Sequence, residues 1–163
     1  MTILDGKKIS KEIQLEIAKA VNKLNLEGKK TPHLAAILVG NNGASQTYVN
    51  AKVTACKNVG FKSTLIQFDN NISEKDLLMK VDEINRDKEI DGLIVQLPLP
   101  DHINSIRITE AISPLKDVDG FHPINIGKMA LNIPTFLPAT PAGILELIKR
   151  YNISTSGKHC VVV

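Results

Sequence analysis

The chain is poor in aromatic residues and in cysteine. It has no tryptophan, and only four Phe and two Tyr among 163 residues. Ile, Leu and Val must therefore fill any core. Cys56 and Cys160 stand far apart without CxxC spacing, which excludes a disulfide framework and suits a reducing compartment. No apolar run is long enough to cross a bilayer and no signal-peptide pattern opens the sequence, so a cytoplasmic protein with no membrane partner is expected. The net charge is only +3, and the adjacent basic pairs Lys7-Lys8, Lys29-Lys30 and Lys149-Arg150 are scattered. That is no nucleic-acid footprint, although it would not repel a polyanionic small molecule. His33, His102, His122 and His159 show no ligand spacing, so no metal site is expected.

What is present is an alternation of helix and strand patterns, long enough for one domain or one domain and part of another. Ile9, Ile13, Ile17, Val21 and Leu24 recur every three or four residues, a first helix that Gly28 closes. His33–Val39 reads as a strand, Gly40–Gly43 as a turn, and Ser45–Val59 as a helix. A second strand is expected over Phe61–Phe68. Ser73 caps a helix reaching about Arg86, with Asp76 completing a weak capping box. Gly92–Gln96 is a third strand, followed by a short helix over Ile103–Ala111. This order implies a parallel sheet with right-handed crossovers, an α/β fold with flanking helices. After Ser113-Pro114 an irregular stretch is expected. Thr140 then caps a helix with Pro141 at its first position, running through Tyr151, and Lys158–Val163 begins a new strand.

Two features carry chemistry. On the Ser45–Val59 helix, Tyr48, Val49, Val53, Ala55, Cys56 and Val59 fall on one apolar arc, and Lys52 lies near its middle. Burial favours the neutral amine. Either Lys52 snorkels out past its neighbours or its amine faces a cleft. The second feature is Gly92–Pro100. Leu93, Ile94 and Val95 suit a strand buried on both faces, and the prolines stop it by Leu97. Gln96 then stands at the carboxyl end of the strand, where open α/β sheets bind ligands. The two X-Pro bonds are either a pocket-lining exit, with either bond open to the cis form, or a plain terminator.

The segments Tyr48-Val49-Asn50-Ala51-Lys52, Gly92–Pro100 and Lys116–Pro123 (Lys-Asp-Val-Asp-Gly-Phe-His-Pro) resemble signature segments of the bifunctional methylenetetrahydrofolate dehydrogenase/cyclohydrolase family, and Asn125-Ile126-Gly127 and Thr140-Pro141-Ala142-Gly143 continue the likeness. The resemblance implies NADP-dependent oxidation of 5,10-methylenetetrahydrofolate to the methenyl cation, then hydrolysis to 10-formyltetrahydrofolate. It implies that Lys52 is the general acid/base, that Gln96 hydrogen-bonds it, and that Tyr48 stacks on the folate rings. Asp119 would hold the pterin's amino and ring N–H groups, and Pro98 would line the substrate site. The implied partners are tetrahydrofolate derivatives, with a homodimer at full length. Residues 1–139 would form the folate-binding catalytic domain and 140–163 the first helix and strand of an incomplete Rossmann-like domain. The NADP site itself would lie beyond Val163, so no cofactor-binding residue is assigned within the chain. Ala139 departs from the family pattern, in which a cysteine often precedes the Thr-Pro pair.

Other readings remain open on the residues alone. Lys52 as a covalent nucleophile would make the protein a Schiff-base lyase. A non-catalytic folate-binding fragment is a third. Asp117-Val118-Asp119 is either a Mg2+ or diphosphate site or, without further ligands, a turn.

Overall fold

The computed structural model describes residues 3–161. Its sheet has three parallel strands, β1 His33–Val39, β2 Lys62–Phe68 and β3 Gly92–Val95, in the order β2-β1-β3. The central strand explains its own composition. Ala35, Ile37 and Val39 face a cluster built with Leu77, Val81 and Ile84 of α3 (Glu74–Arg86) and Ile108 of α4 (Ser105–Ala111). Ala36 and Leu38 face the other way, onto Val49 and Val53 of α2 (Gly43–Val59). A strand covered on both sides needs apolar residues at successive positions, not at alternate ones. Each buried Ile, Leu or Val among them contributes roughly 1.5–3 kcal/mol of burial. The edge strand β2 is largely exposed and correspondingly polar, with Lys62, Ser63 and Thr64 at its start.

Local signals set the helix ends. In α1 (Gly6–Leu26) the Asp5 side chain accepts from Lys8 N–H at 2.9 Å, and beyond the helix Gly28 takes a left-handed φ of 68°. Asn42 caps α2 by accepting from the N–H groups of Ala44 and Ser45, starting that helix two residues before Ser45. Half of the Ser73–Asp76 capping box is present: Asp76 N–H donates to Ser73 Oγ at 3.1 Å, but the Asp76 carboxylate accepts from the Ser73 hydroxyl at 2.7 Å and not from its backbone N–H.

Three expectations need correction. The stretch after Pro114 contains a helix, α5 (Pro123–Ala130), capped by His122, whose Nδ1 accepts from Ile124 N–H at 3.1 Å. Thr140 is not a cap, because α6 spans Ala139–Arg150 and Pro138 holds the cap position without a side-chain bond. Pro141 is still tolerated there, since first-turn N–H groups have no partner within the helix. The strand expected over Lys158–Val163 is not formed in its described part, residues 158–161, which are irregular and exposed. Among the described residues no strand lies beside it to complete a ladder. Residues 162–163 lie outside the described part.

The last helix folds back onto the first. Arg150 donates Nη1 and Nη2 to the two Glu16 oxygens at 2.6 and 2.7 Å, and its Nε to Glu146 at 2.7 Å. Asp5 N–H donates to the Tyr151 hydroxyl at 2.9 Å. These bonds lower the Glu16 carboxyl below its ordinary range and raise the Arg150 guanidinium.

Candidate active site

At the carboxyl end of the sheet, the last strand residue Val95 is followed by Gln96, whose N–H donates to Ile37 O at 2.9 Å. The chain then turns away through a cis Leu97–Pro98 bond. α2 passes this strand end with Val49, Cys56 and Val59 buried beneath it, while Tyr48 is 65% exposed. Lys52, half-buried, lies within the buried arc, between Ser45 and Val59 in helical phase and one turn from Val49 and Cys56. Its amine points into a cleft of about 260 Å³ lined by Tyr48, Gln96, Asp119, Phe121 and Thr140, among others. Lys52 Nζ stands 3.5 Å from Gln96 Oε1 and 3.6 Å from Asp119 Oδ1. The Gln96 amide is turned by its own Nε2, which donates to Leu97 O at 2.6 Å. Pro98 is exposed and is not among the residues lining this cleft.

Asp119 is held by the loop around it. Asp117, 2% exposed, accepts from the N–H groups of Phe121 and His122 at 3.2 and 2.8 Å and from Asn125 Nδ2 at 2.8 Å. Asn125 also donates to Pro114 O at 3.0 Å and accepts from the Thr135 hydroxyl at 2.6 Å. The Asp117-Val118-Asp119 run is a turn that buries Asp117 and leaves Asp119 on the cleft, and the described residues contain no cluster of His, Cys, Asp and Glu able to hold a metal. Sequence reasoning missed the supporting roles of Asp117 and Asn125. Gly120 has a φ of +72°, and an added Cβ would meet the Leu137–Pro138 backbone at 2.5–2.6 Å. That close passage brings the start of α6, and with it Thr140, against the cleft.

Burial pushes the Asp119 carboxyl above its usual range; Lys52 pulls it back only partly, and the neighbouring charge of Asp117 adds to the push. Burial likewise raises the Cys56 thiol. An amine set between a neutral amide and a carboxylate, beneath an exposed aromatic ring, can hold or move a proton next to a flat ligand.

Residues 4–119 match the family described as tetrahydrofolate dehydrogenase/cyclohydrolase, catalytic domain. The chain belongs to this family. Among curated members of the tetrahydrofolate dehydrogenase/cyclohydrolase family, the bifunctional protein FolD of Cytophaga hutchinsonii is 61% identical over 163 residues, covering 100% of this chain and 56% of its own length. The FolD crystal structure from Campylobacter jejuni superposes with a TM-score of 0.94 at 46% identity, covering 97% of this chain and 56% of that one. The FolD of Trypanosoma brucei, a structure complexed with NADP cofactor and inhibitor, gives a TM-score of 0.92 at 29% identity over 96% of this chain and 54% of that one. The chain spans about half the length of the relatives it matches.

Proposed function

We propose that this chain carries the folate-binding catalytic half of an enzyme that oxidises 5,10-methylenetetrahydrofolate with NADP+ and hydrolyses the methenyl product to 10-formyltetrahydrofolate. The observation that carries the reading is the placement of Lys52 Nζ between Gln96 and Asp119 in a cleft beneath Tyr48. The kinship with bifunctional FolD proteins supports it. In this reading Tyr48 stacks on the folate rings, Asp119 accepts two N–H bonds from the pterin, and Gln96 orients the Lys52 amine. Lys52 carries the proton that leaves the attacking water during hydrolysis, because an amine beside the methenyl cation is disfavoured in its charged form. NADP+, when bound, accepts the hydride. We assign residues 1–139 to the folate-binding unit and α6 onward to the start of the nucleotide-binding unit. The unpaired Cys56 and Cys160 suit a cytoplasmic setting.

Lys52→Met tests the assignment in a protein extended to the length of its relatives. It keeps the helix and the apolar volume and removes the proton carrier. Hydrolysis of methenyltetrahydrofolate, followed by loss of the cation's absorbance, should fall by about 10²-fold or more. Undiminished hydrolysis by a folded Lys52→Met variant removes Lys52 from the mechanism. A Schiff-base role has less support, because the family match and the similar structures are dehydrogenase/cyclohydrolase proteins.

A further inference from the structure

Aromatic side chains are scarce in this chain, and the exposed ones are not scattered at random. Of the four Phe and two Tyr, three are exposed: Tyr48 at 65%, Phe121 at 50% and Phe136 at 42%. Two of these three line the cleft that holds Lys52. They come from different walls. Lys52 and Asp119, 3.6 Å apart, mark where α2 and the Asp119 loop face each other. Tyr48 lies one helical turn before Lys52, and Phe121 lies two residues beyond Asp119. A large apolar side chain kept half in water forgoes the burial that a core position would give it.

The Phe121 ring has open space on more than one side. A second cavity of about 260 Å³, lined by Ile106, Thr109 and Pro123 among others, adjoins the cleft, and Leu97 and Phe121 line both. The ring is therefore a partition between two cavities and adds little to the core. Its root is nevertheless fixed. Phe121 N–H donates to the buried Asp117 carboxylate at 3.2 Å, and Gly120 before it sits in a left-handed turn against the Leu137–Pro138 backbone. A firmly rooted but loosely packed ring on a polar cleft is placed for a ligand.

We propose that Phe121 is a further substrate-contact residue, the second aromatic face of the site, and that a flat ring head is held between it and Tyr48. This deepens the folate reading and rests on it. Lys52, Gln96 and Asp119 offer charge and hydrogen bonds to the edge of such a head, and the two aromatic rings offer apolar area to its faces. The Phe121 side chain has no polar atom, so it takes no part in proton transfer. Its contact is the same before and during reaction, and its loss should raise KM while leaving kcat in place.

Calorimetric titration of the 163-residue chain with free pterin, the bicyclic head alone, tests this in the wild type, Phe121→Ala, Phe121→Leu and Phe136→Ala. Phe136 is exposed to a similar degree and lines neither cavity, so it reports what losing any half-exposed ring does. Phe121→Ala should bind pterin roughly 10-fold more weakly, and Phe121→Leu, which keeps apolar area without a ring face, about 3-fold more weakly. Phe136→Ala should bind as the wild type does. In the wild-type complex the pterin ring protons should show nuclear Overhauser effects to the Phe121 ring. In a chain extended to the length of its relatives, Phe121→Ala should raise KM for methenyltetrahydrofolate hydrolysis and keep kcat. Unchanged pterin affinity in Phe121→Ala, an equal loss in Phe136→Ala, or a fall in kcat at constant KM overturns the Phe121 contact alone. No pterin binding to the wild type overturns the folate reading and the contact with it.

Discussion

Asp119 is charged, half-hidden from water and loosely paired, and each of these conditions opposes folding. Its carboxyl is raised because burial outweighs the pull of Lys52. An acid whose folded value lies above its unfolded one favours the native state when protonated, and that advantage is lost as pH rises through the folded value. Asp119→Asn should therefore melt at or above the wild-type temperature at pH 7. The gap should shrink as pH falls below the raised value, where the wild-type carboxyl is neutral too. A lower melting temperature for the variant across the whole pH range would show that the Lys52 pair stabilises the fold after all. Asp91 has the opposite sign. Burial pushes it up, but bonds from Lys30 and His33 N–H bring it below its ordinary range, so its contribution is present at neutral pH and lost in acid. At this scale the sequence was partly legible. Lys52 and Gln96 could be placed at one cleft because helix phase and strand end each fix a direction. The approach of Asp119 to Lys52 could not, because it depends on a loop whose course is set by Asp117, Asn125 and Thr135.

The elements differ in how much of their own order they encode. The Ser73 cap, the Asn42 turn and Gly28 after α1 are local signals, and those helices were legible. α5 was not. Ile124 and Ile126 are exposed, Gly127 interrupts the pattern, and the buried Asn125 holds the helix through Pro114, Asp117 and Thr135. Its order is tertiary, so no periodicity announces it. Two glycines show the contrast. Gly127→Ala adds a methyl where nothing lies within 4 Å, on an ordinary helical backbone, and should stabilise by about 0.5–1 kcal/mol. Gly120→Ala places its methyl against the backbone of Leu137 and Pro138 at a left-handed φ, and should destabilise by about 2 kcal/mol or more. It should also weaken pterin binding, because the start of α6 must shift off the Asp119 loop. Thermal melts and pterin titration check both; equal melting temperatures for the two variants would refute the close passage over Gly120.

In the whole molecule, order is distributed unevenly between sheet and last helix. β1 is buried on both sides, whereas α6 has no buried residue and holds to α1 through Arg150–Glu16 and Tyr151–Asp5. Such a helix should open without the sheet. Amide exchange in α6 should exceed that in β1 by roughly 10²-fold or more, and Arg150→Met should speed α6 while leaving β1 unchanged. Equal protection of the two would mean that α6 and the sheet open only together. The irregular course of residues 158–161 was not legible, since an apolar run reads as a strand whether or not a neighbour exists to pair with it. The clasp between α1 and α6 also has a timing. Glu16 and Arg150 are 134 residues apart, and a ribosome adding about 5–20 residues per second needs roughly 7–27 s to deliver the second after the first. For that interval the Glu16 carboxylate waits in water while all three strands emerge and pair. The wall of the cleft at Thr140 is made after the strands, so a nascent chain with a finished sheet still has an open pocket.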